Sequence, residues 1–248
     1  MTSTLSVSIV VPTLNEADRI TACLARLRRG FPGCELLVVD GGSTDATVES
    51  AEPIAPVLRS APGRAVQMNT GSAHTTGEVL WFVHADTLIE EDALGQLRTA
   101  LADPRVVGGG LSLRFDRRTP GLDLLAHASN IRARRLHQIF GDQALFVRRG
   151  VFEQVGGFPP WPLMEDLELS RRLHRRGRLV LLPATSTASA RRFVEHGTWQ
   201  MIAFMQYLKL AYFAGVSPER LARRYESGPR LPRPRRSHRE STDAHATV

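Results

Sequence analysis

The sequence predicts an α/β fold with a mostly parallel central sheet and helices on both faces. Three apolar, β-branched runs, Val7 to Val11, Leu36 to Val39 and Val79 to Val83, read as strands buried on both sides. The segments between them carry helical periodicity, and strands that alternate with helices pair in parallel. At 248 residues, 42% hydrophobic and 23% charged, the chain has the size and composition of one globular domain with a sizeable core.

Each element follows in order. Ala17 to Arg29 places Ile20, Cys23, Leu24 and Leu27 at helical spacing, with Arg19, Arg26 and Arg28 elsewhere. Ser43 or Asp45 can cap a helix beginning near Ala46. A short strand at Val57 to Arg59 and a helix from Ala65 to Thr75 complete the second cycle. The second half reads as a helix at Asp92 to Ala102, a glycine-rich strand at Val106 to Phe115, and a helix at Leu122 to His137 with Arg132, Arg134 and Arg135 outward. A strand at Ala144 to Val147, a helix at Leu167 to Arg176 and a strand at Leu179 to Leu182, ended by Pro183, follow. This half elaborates the first and is not a second domain, so residues 1–226 are one domain.

Residues 227–248 combine proline, arginine and small polar residues with almost nothing to bury, which predicts a disordered tail. It is a solvated tail or a contact with acidic lipid or nucleic acid, and no specific nucleic-acid partner is predicted. The net charge of +7 favours anionic partners in general. Two cysteines without a CxxC or Cys/His cluster predict reduced thiols. The N-terminal run lacks the basic flank of a signal peptide. Met201 to Val216, the most apolar window, contains Gln206 and Lys209 and is short of the roughly 20 residues that span a bilayer. The expectation is a cytoplasmic protein that can lie peripherally at the inner face of the membrane.

Ligands of such sheets bind outside the carboxyl ends of the strands, where Thr13, Asn15, Glu16, Asp40, His84 and Asp86 fall. Asp40 opens GGSTD, which is a ligand loop that brings backbone close or a turn capped by an aspartate. It fits neither GxGxxG nor GxxxxGK[ST]. His84 and Asp86 share a face if the strand continues, with Ala85 pointing away. The pair suits a hard cation and a diphosphate, or is a core histidine beside an aspartate that caps a helix near Glu91. Glu165 and Asp166 are charges favourably placed at a helix N-terminus or carboxylates at the mouth of a cleft.

The combination is more specific than its parts. PTLNE at Pro12 to Glu16, VVDGGSTD at Val38 to Asp45, Gly63 and Arg64 with QMNTG behind them, HAD at His84 to Asp86, GDQ at Gly141 to Gln143 and MED at Met164 to Asp166 occur in one order. Over about residues 6 to 195 the chain resembles the inverting family 2 glycosyltransferases of GT-A fold, which are Rossmann-like. It is most similar to a small bacterial subgroup carrying HAD and GDQ.

The resemblance implies a nucleotide-sugar donor, UDP- or GDP-linked, bound by Pro12, Thr13, Asn15, Glu16, Asp40, Gly42, Arg64, His84, Ala85 and Asp86. Asp86 matches the last aspartate of the DxD element and implies a divalent cofactor, Mg²⁺ or Mn²⁺. His84 stands where the first aspartate usually is, so the metal's identity does not follow. Asp166 matches the catalytic base, with Glu165 beside it, and Gly141, Asp142 and Gln143 match the acceptor side. Of the QxxRW motif of processive members the chain has only SARRFVEHGTW, in which Arg191 or Arg192 keeps a phosphate-contact role.

The acceptor is not written in these residues. A helix from Trp199 to Val216, rich in aromatics and methionine, is a core or oligomer-interface helix, or one that lies in a membrane interface or covers a groove for a hydrophobic, lipid-linked acceptor. A sugar nucleotidyltransferase would carry a glycine-rich basic signature after its first strand, where PTLNEADR stands. A non-catalytic binder of anionic polymers would need neither Asp86 nor Asp166.

Overall fold

The structure, a computed structural model, describes residues 5–229. Its first half runs β1 (Val7–Thr13), α1 (Ala17–Gly30), β2 (Glu35–Asp40), α2 (Thr47–Ala51), β3 (Val57–Arg59), α3 (Arg64–Ala73), β4 (Val79–Phe82), β5 (Leu88–Ile89) and α4 (Ala93–Leu101). The second runs β6 (Val106–Phe115), α5 (Pro120–Leu136), a 3₁₀ turn at Gly141–Gln143, β7 (Phe146–Arg148), α6 (Arg149–Gln154), α7 (Glu165–His174), β8 (Arg178–Ala188), α8 (Arg191–His196), α9 (Thr198–Phe213) and α10 (Pro218–Glu226).

One eight-stranded sheet, ordered β3-β2-β1-β4-β7-β6-β8-β5, joins both halves. β3, β2, β1 and β4 are parallel, β7 is antiparallel to both neighbours, and β6 pairs β8 in parallel. Alternate strand residues feed opposite layers. Ile9, Val11, Val38, Trp81 and Val83 pack under α1 and α4 with Leu24, Leu27, Leu97 and Leu101. Val10, Val39, Leu80 and Phe82 pack with Ala65 and Met68 of α3, Phe152 of α6 and Leu169 of α7. A third cluster sets Met201, Phe204 and Leu208 of α9 and Leu221 of α10 against Leu163, Met164 and Leu167. Each fully buried large side chain contributes roughly 1.5–3 kcal/mol.

The glycine run of β6 exists because the sheet passes too close for side chains. A Cβ on Gly108 would stand 2.5 Å from the Phe146 carbonyl, and one on Gly109 would overlap the Val180 carbonyl.

Several expectations are corrected. Pro183 does not end the last strand: β8 continues to Ala188, and the ladder skips from Leu111–Leu182 to Ser112–Thr185, so the proline sits in a bulge where no amide is needed. The strand expected from Ala144 starts at Phe146, because Ala144 is left-handed at φ 47°. The helix expected over Leu167 to Arg176, with Glu165 and Asp166 at its N-terminus, does open on Glu165, after a left-handed Met164, and ends at His174. Of the two expected caps it is Asp45 that serves α2: its carboxylate accepts the amide of Thr47, the first residue of that helix, at 3.1 Å, and also that of Ala17, the first residue of α1, at 3.2 Å. Arg132 is not on the outer side of α5 but half-buried and turned inward, whereas Arg134 and Arg135 are exposed. β5, α6, α8 and α10 were not expected. The expected tail lies outside the described residues from 230 onward. Among the described residues, no helix is long and apolar enough to cross a membrane.

Candidate active site

At the carboxyl ends of β1 and β2, the buried Gln67 side chain donates to the Thr13 carbonyl at 2.7 Å and the Val39 carbonyl at 2.8 Å. This fixes the two strand ends relative to each other, and a Cβ on Gly41 would meet Gln67 at 3.0 Å. The buried Asp40 carboxylate accepts from the Gly42 and Ser43 amides at 3.0 and 3.1 Å, folding GGS back on its own strand. Asn15, left-handed at φ 55°, accepts from the Thr44 amide at 2.9 Å, and its own amide donates to Ser43 Oγ. Glu16 receives Arg19 at 3.1 Å. Pro12 and Thr13 are buried. The sequence-predicted donor residues of these two motifs therefore meet in one loop-to-loop clasp, in which Asp40 and Asn15 shape the loop with their side chains.

His84 and Asp86 do not share a face. The strand stops at Phe82, and the Thr87 amide donates to the His84 carbonyl at 3.1 Å, closing a turn. Ala85 is buried in the core as expected. Asp86 lines a cleft of about 230 Å³ with Asp18, Arg19, Asp116, Thr187 and Ser189. His84 turns instead to the GDQ turn, where a Cβ on Gly141 would lie 2.7 Å from its Cε1. Only glycine at 141 admits the imidazole there. Burial, then Arg64, pushes His84 down to about 4, so the ring is neutral at pH 7.

The GDQ turn and the start of α7 meet next. Asp166 Oδ2 accepts the Gly141 amide at 2.9 Å and Oδ1 accepts the Leu167 amide at 2.7 Å. An ionised carboxylate has further lone pairs beyond these two. Glu165, 2% exposed, receives Arg64 at 3.2 Å while its Oε2 is buried without a partner. Burial raises Glu165 to about 6 against the pull of Arg64, and Glu165 in turn strengthens the guanidinium's hold on its proton. Asp142 is also raised to about 6 by burial, with its Oδ1 unpartnered. Gln143 is fully buried: it accepts from Arg132 at 3.2 Å and from the Phe140 amide at 3.3 Å, so it supports the turn from beneath. Arg192 is exposed and stacks 4.8 Å over the Tyr225 ring of α10.

Sequence reasoning missed Gln67, Arg132, Phe140 and Lys209. Gln67 lay in the quoted QMNTG segment but has no spacing signal of its own. Lys209 had one, as the only lysine beside 31 arginines. Asn15, Ala144 and Met164, three of the four left-handed non-glycine residues among those described, flank the site motifs. Backbone conformations of this kind persist where surrounding structure holds them, commonly at ligand sites.

Among the described residues, no group of three or more His, Cys, Asp or Glu side chains could hold a metal ion. Asp86 alone offers one carboxylate to a hard divalent ion such as Mg²⁺, which commonly takes only one or two from the protein.

The chain matches the family model "Glycosyl transferase family 2" over residues 8–156. It is 34% identical over 168 residues to a PGL/p-HBAD biosynthesis glycosyltransferase of Mycobacterium tuberculosis, a match covering 61% of this chain and 62% of that one. The chain thus spans about three fifths of the length of the curated relatives it matches. A mannosyltransferase of Pyrobaculum calidifontis, solved with GDP-Man and Mn²⁺, superposes with a TM-score of 0.65 at 23% identity, over 88% of this chain and 67% of that one. S. aureus TarS, solved with UDP-GlcNAc, gives 0.59 at 20% identity, over 75% and 58%. The fold is that of GT-A glycosyltransferases, and by its motifs, its sheet and its matched residues the chain belongs to glycosyl transferase family 2.

Proposed function

We propose that the protein transfers a sugar from a UDP- or GDP-linked donor to an acceptor hydroxyl in one inverting displacement, with Asp166 as general base. The observation that carries this is the Asp166 carboxylate, half-buried, fixed by the Gly141 amide, and set beside the neutral His84. The bond from the anomeric carbon to the diphosphate oxygen breaks and its electron pair leaves on that oxygen. The acceptor oxygen attacks from the opposite face, through an oxocarbenium-like state, and inverts the centre. Its proton passes to Asp166, a role worth about 10²–10⁴-fold in rate.

The clasp of Asn15, Asp40, Gly42 and Ser43 presents backbone and the buried Thr13 to the nucleoside. Arg64, held by Glu165 on one side and 46% exposed, is the cation available to the diphosphate. Asp86 would hold a divalent metal jointly with the donor, and such an ion supplies charge neutralisation for the leaving diphosphate. The solved relatives with GDP-Man and Mn²⁺ or with UDP-GlcNAc support this class of donor.

The acceptor side supports a hydrophobic or lipid-linked acceptor and peripheral membrane contact. Trp199, Tyr207, Leu210 and Phe213 of α9 are all more than half exposed, and Arg220, Arg223 and Arg224 of the next helix, α10, are exposed as well. Exposed aromatic and apolar residues, with exposed arginines on the following helix, suit an anionic bilayer surface. The reading as a whole is tested by Asp166→Asn, with nucleotide binding and sugar transfer measured side by side.

A further inference from the structure

Lys209 is the only lysine in a chain with 31 arginines, and it is the only charged residue of α9. It does not join the exposed face of Trp199, Tyr207 and Leu210. It is half-buried and turned to the GDQ turn, with its amine 5.7 Å from the Phe140 ring centroid. The Arg132 guanidinium from α5 stands 3.7 Å from the same centroid. Arg132 is aimed by Gln143 Oε1 at 3.2 Å and by the Gln138 carbonyl at 3.4 Å.

Neither cation has a carboxylate within 4 Å among the described residues. The ionisable groups facing Lys209 are Arg132, Asp142 and Asp166. Burial first, then Arg132, pulls its amine down to about 8, and burial lowers Arg132 as well. Asp142 and Asp166 pull the other way on both cations without cancelling the shift; the unfavourable remainder, two partly desolvated cations around one ring, is what an entering anion relieves. A compact ammonium on a flexible stem serves as a point charge for such a ligand, where arginine's rigid fork would need a fixed geometry.

We propose that Lys209 and Arg132 form a subsite for a phosphate or carboxylate group carried by the acceptor, which sets the acceptor's hydroxyl against Asp166. This rests on the transfer reading above and adds the acceptor's chemical class. The two residues act as positioning residues; bond making and breaking are unchanged, and the hydroxyl proton still goes to Asp166. The anionic group belongs to a small soluble acid or to a lipid phosphate, and these sources are separable.

Because the chain has one lysine, amine acetylation followed by mass spectrometry reads Lys209 alone among the side chains. With the full-length protein, the rate of Lys209 acetylation is compared with that of free Nα-acetyl-lysine in the same tube. The probes are inorganic phosphate, glycerol 3-phosphate, glycerol, and dodecyl phosphate in neutral detergent micelles. The expected result is about tenfold slower labelling with the phosphorylated probes and none with glycerol or empty micelles, since charge-assisted hydrogen bonds are worth about a factor of ten or more. Protection by glycerol 3-phosphate alone assigns a soluble acceptor, and by dodecyl phosphate alone a lipid one.

Arg132→Met should remove most of the protection. In calorimetry Lys209→Met should weaken the protecting probe about tenfold while nucleotide binding stays unchanged, which also shows the variant is folded. Equal protection by neutral and charged probes, no protection by any of them, or undiminished protection in Arg132→Met would overturn the proposal. The labelling needs no donor, so failure of the wild type to bind UDP or GDP would count against sugar transfer and leave the anion subsite standing or falling on its own data.

Discussion

The Asp166 carboxylate accepts the Gly141 amide at 2.9 Å, tying the first turn of α7 to a 3₁₀ turn 25 residues earlier in the chain. This one bond makes a unit of two motifs. The left-handed Met164 turns the chain so that α7 opens on Glu165 and Asp166, and the absent side chain at Gly141 makes room for His84. Three elements thus converge on one carboxylate without any of them being near another in sequence.

Gly141→Ala should disturb that convergence locally. The new Cβ would lie 2.7 Å from His84 Cε1 and 3.7 Å from Asp166 Oδ2, so the ring must move. The expected outcome is a stability loss of about 1–3 kcal/mol, as for other overpacked sites, and a larger fractional loss of turnover than of nucleotide affinity. Denaturant melts and calorimetry together check it; unaltered turnover would separate His84 and Gly141 from the chemistry.

Glu165→Gln should change how stability depends on pH. The folded Glu165 is raised from 4.5 to about 6, so the native state binds its proton more tightly than the unfolded chain does. That contribution is fully present below pH 4.5 and is lost as pH rises through about 6. Wild type should therefore lose on the order of 1 kcal/mol relative to Glu165→Gln across this window. Asp142, raised in the same direction, is common to both proteins and cancels. Urea unfolding at several pH values checks this, and a difference that grows in favour of the wild type with rising pH would contradict it.

Much of the fold was legible because its signals are local. Val7, Leu36 and Val79 open apolar runs that are strands, and the period of Ile20, Cys23, Leu24 and Leu27 fixes the buried face of α1. The end of β8 was misplaced because a proline normally stops a ladder, and only the partner strand reveals the bulge at Leu111 and Ser112 that accommodates it. Arg132 was misplaced because helical spacing distinguishes faces but cannot show that Gln143 and Phe140 lie across from one of them. In the site, Asp166 and Gly141 were visible as motif members, whereas Lys209 comes from a helix whose packing on α7 is purely tertiary.

If Asp86 holds a divalent ion jointly with the donor, as proposed, Asp86→Ala, which removes the protein's ligand, and EDTA with the wild type, which removes the ion, should weaken nucleotide binding to a similar degree. Calorimetry of UDP and GDP with Mn²⁺, Mg²⁺ or EDTA checks it. A mutant that still gains affinity from added metal would take Asp86 out of the site.

Exposed Trp199 and Leu210 should matter to membranes and hardly to folding. Trp199, 61% exposed, and Leu210, 70% exposed, changed together to serine should alter stability by less than about 0.5 kcal/mol each. Flotation with anionic vesicles should be lost. Full exclusion of the wild-type protein from such vesicles would remove membrane contact from the account.

The most direct test of the account is Asp166→Asn. The donor is whichever UDP- or GDP-sugar binds in calorimetry, a small-molecule and lipid extract supplies the acceptor, and both donor affinity and release of nucleoside diphosphate are measured. With Asp166 as base, affinity is unchanged and turnover falls by about 10²–10⁴-fold. Turnover near that of the wild type would mean that another group takes the acceptor's proton, and the central assignment would be wrong.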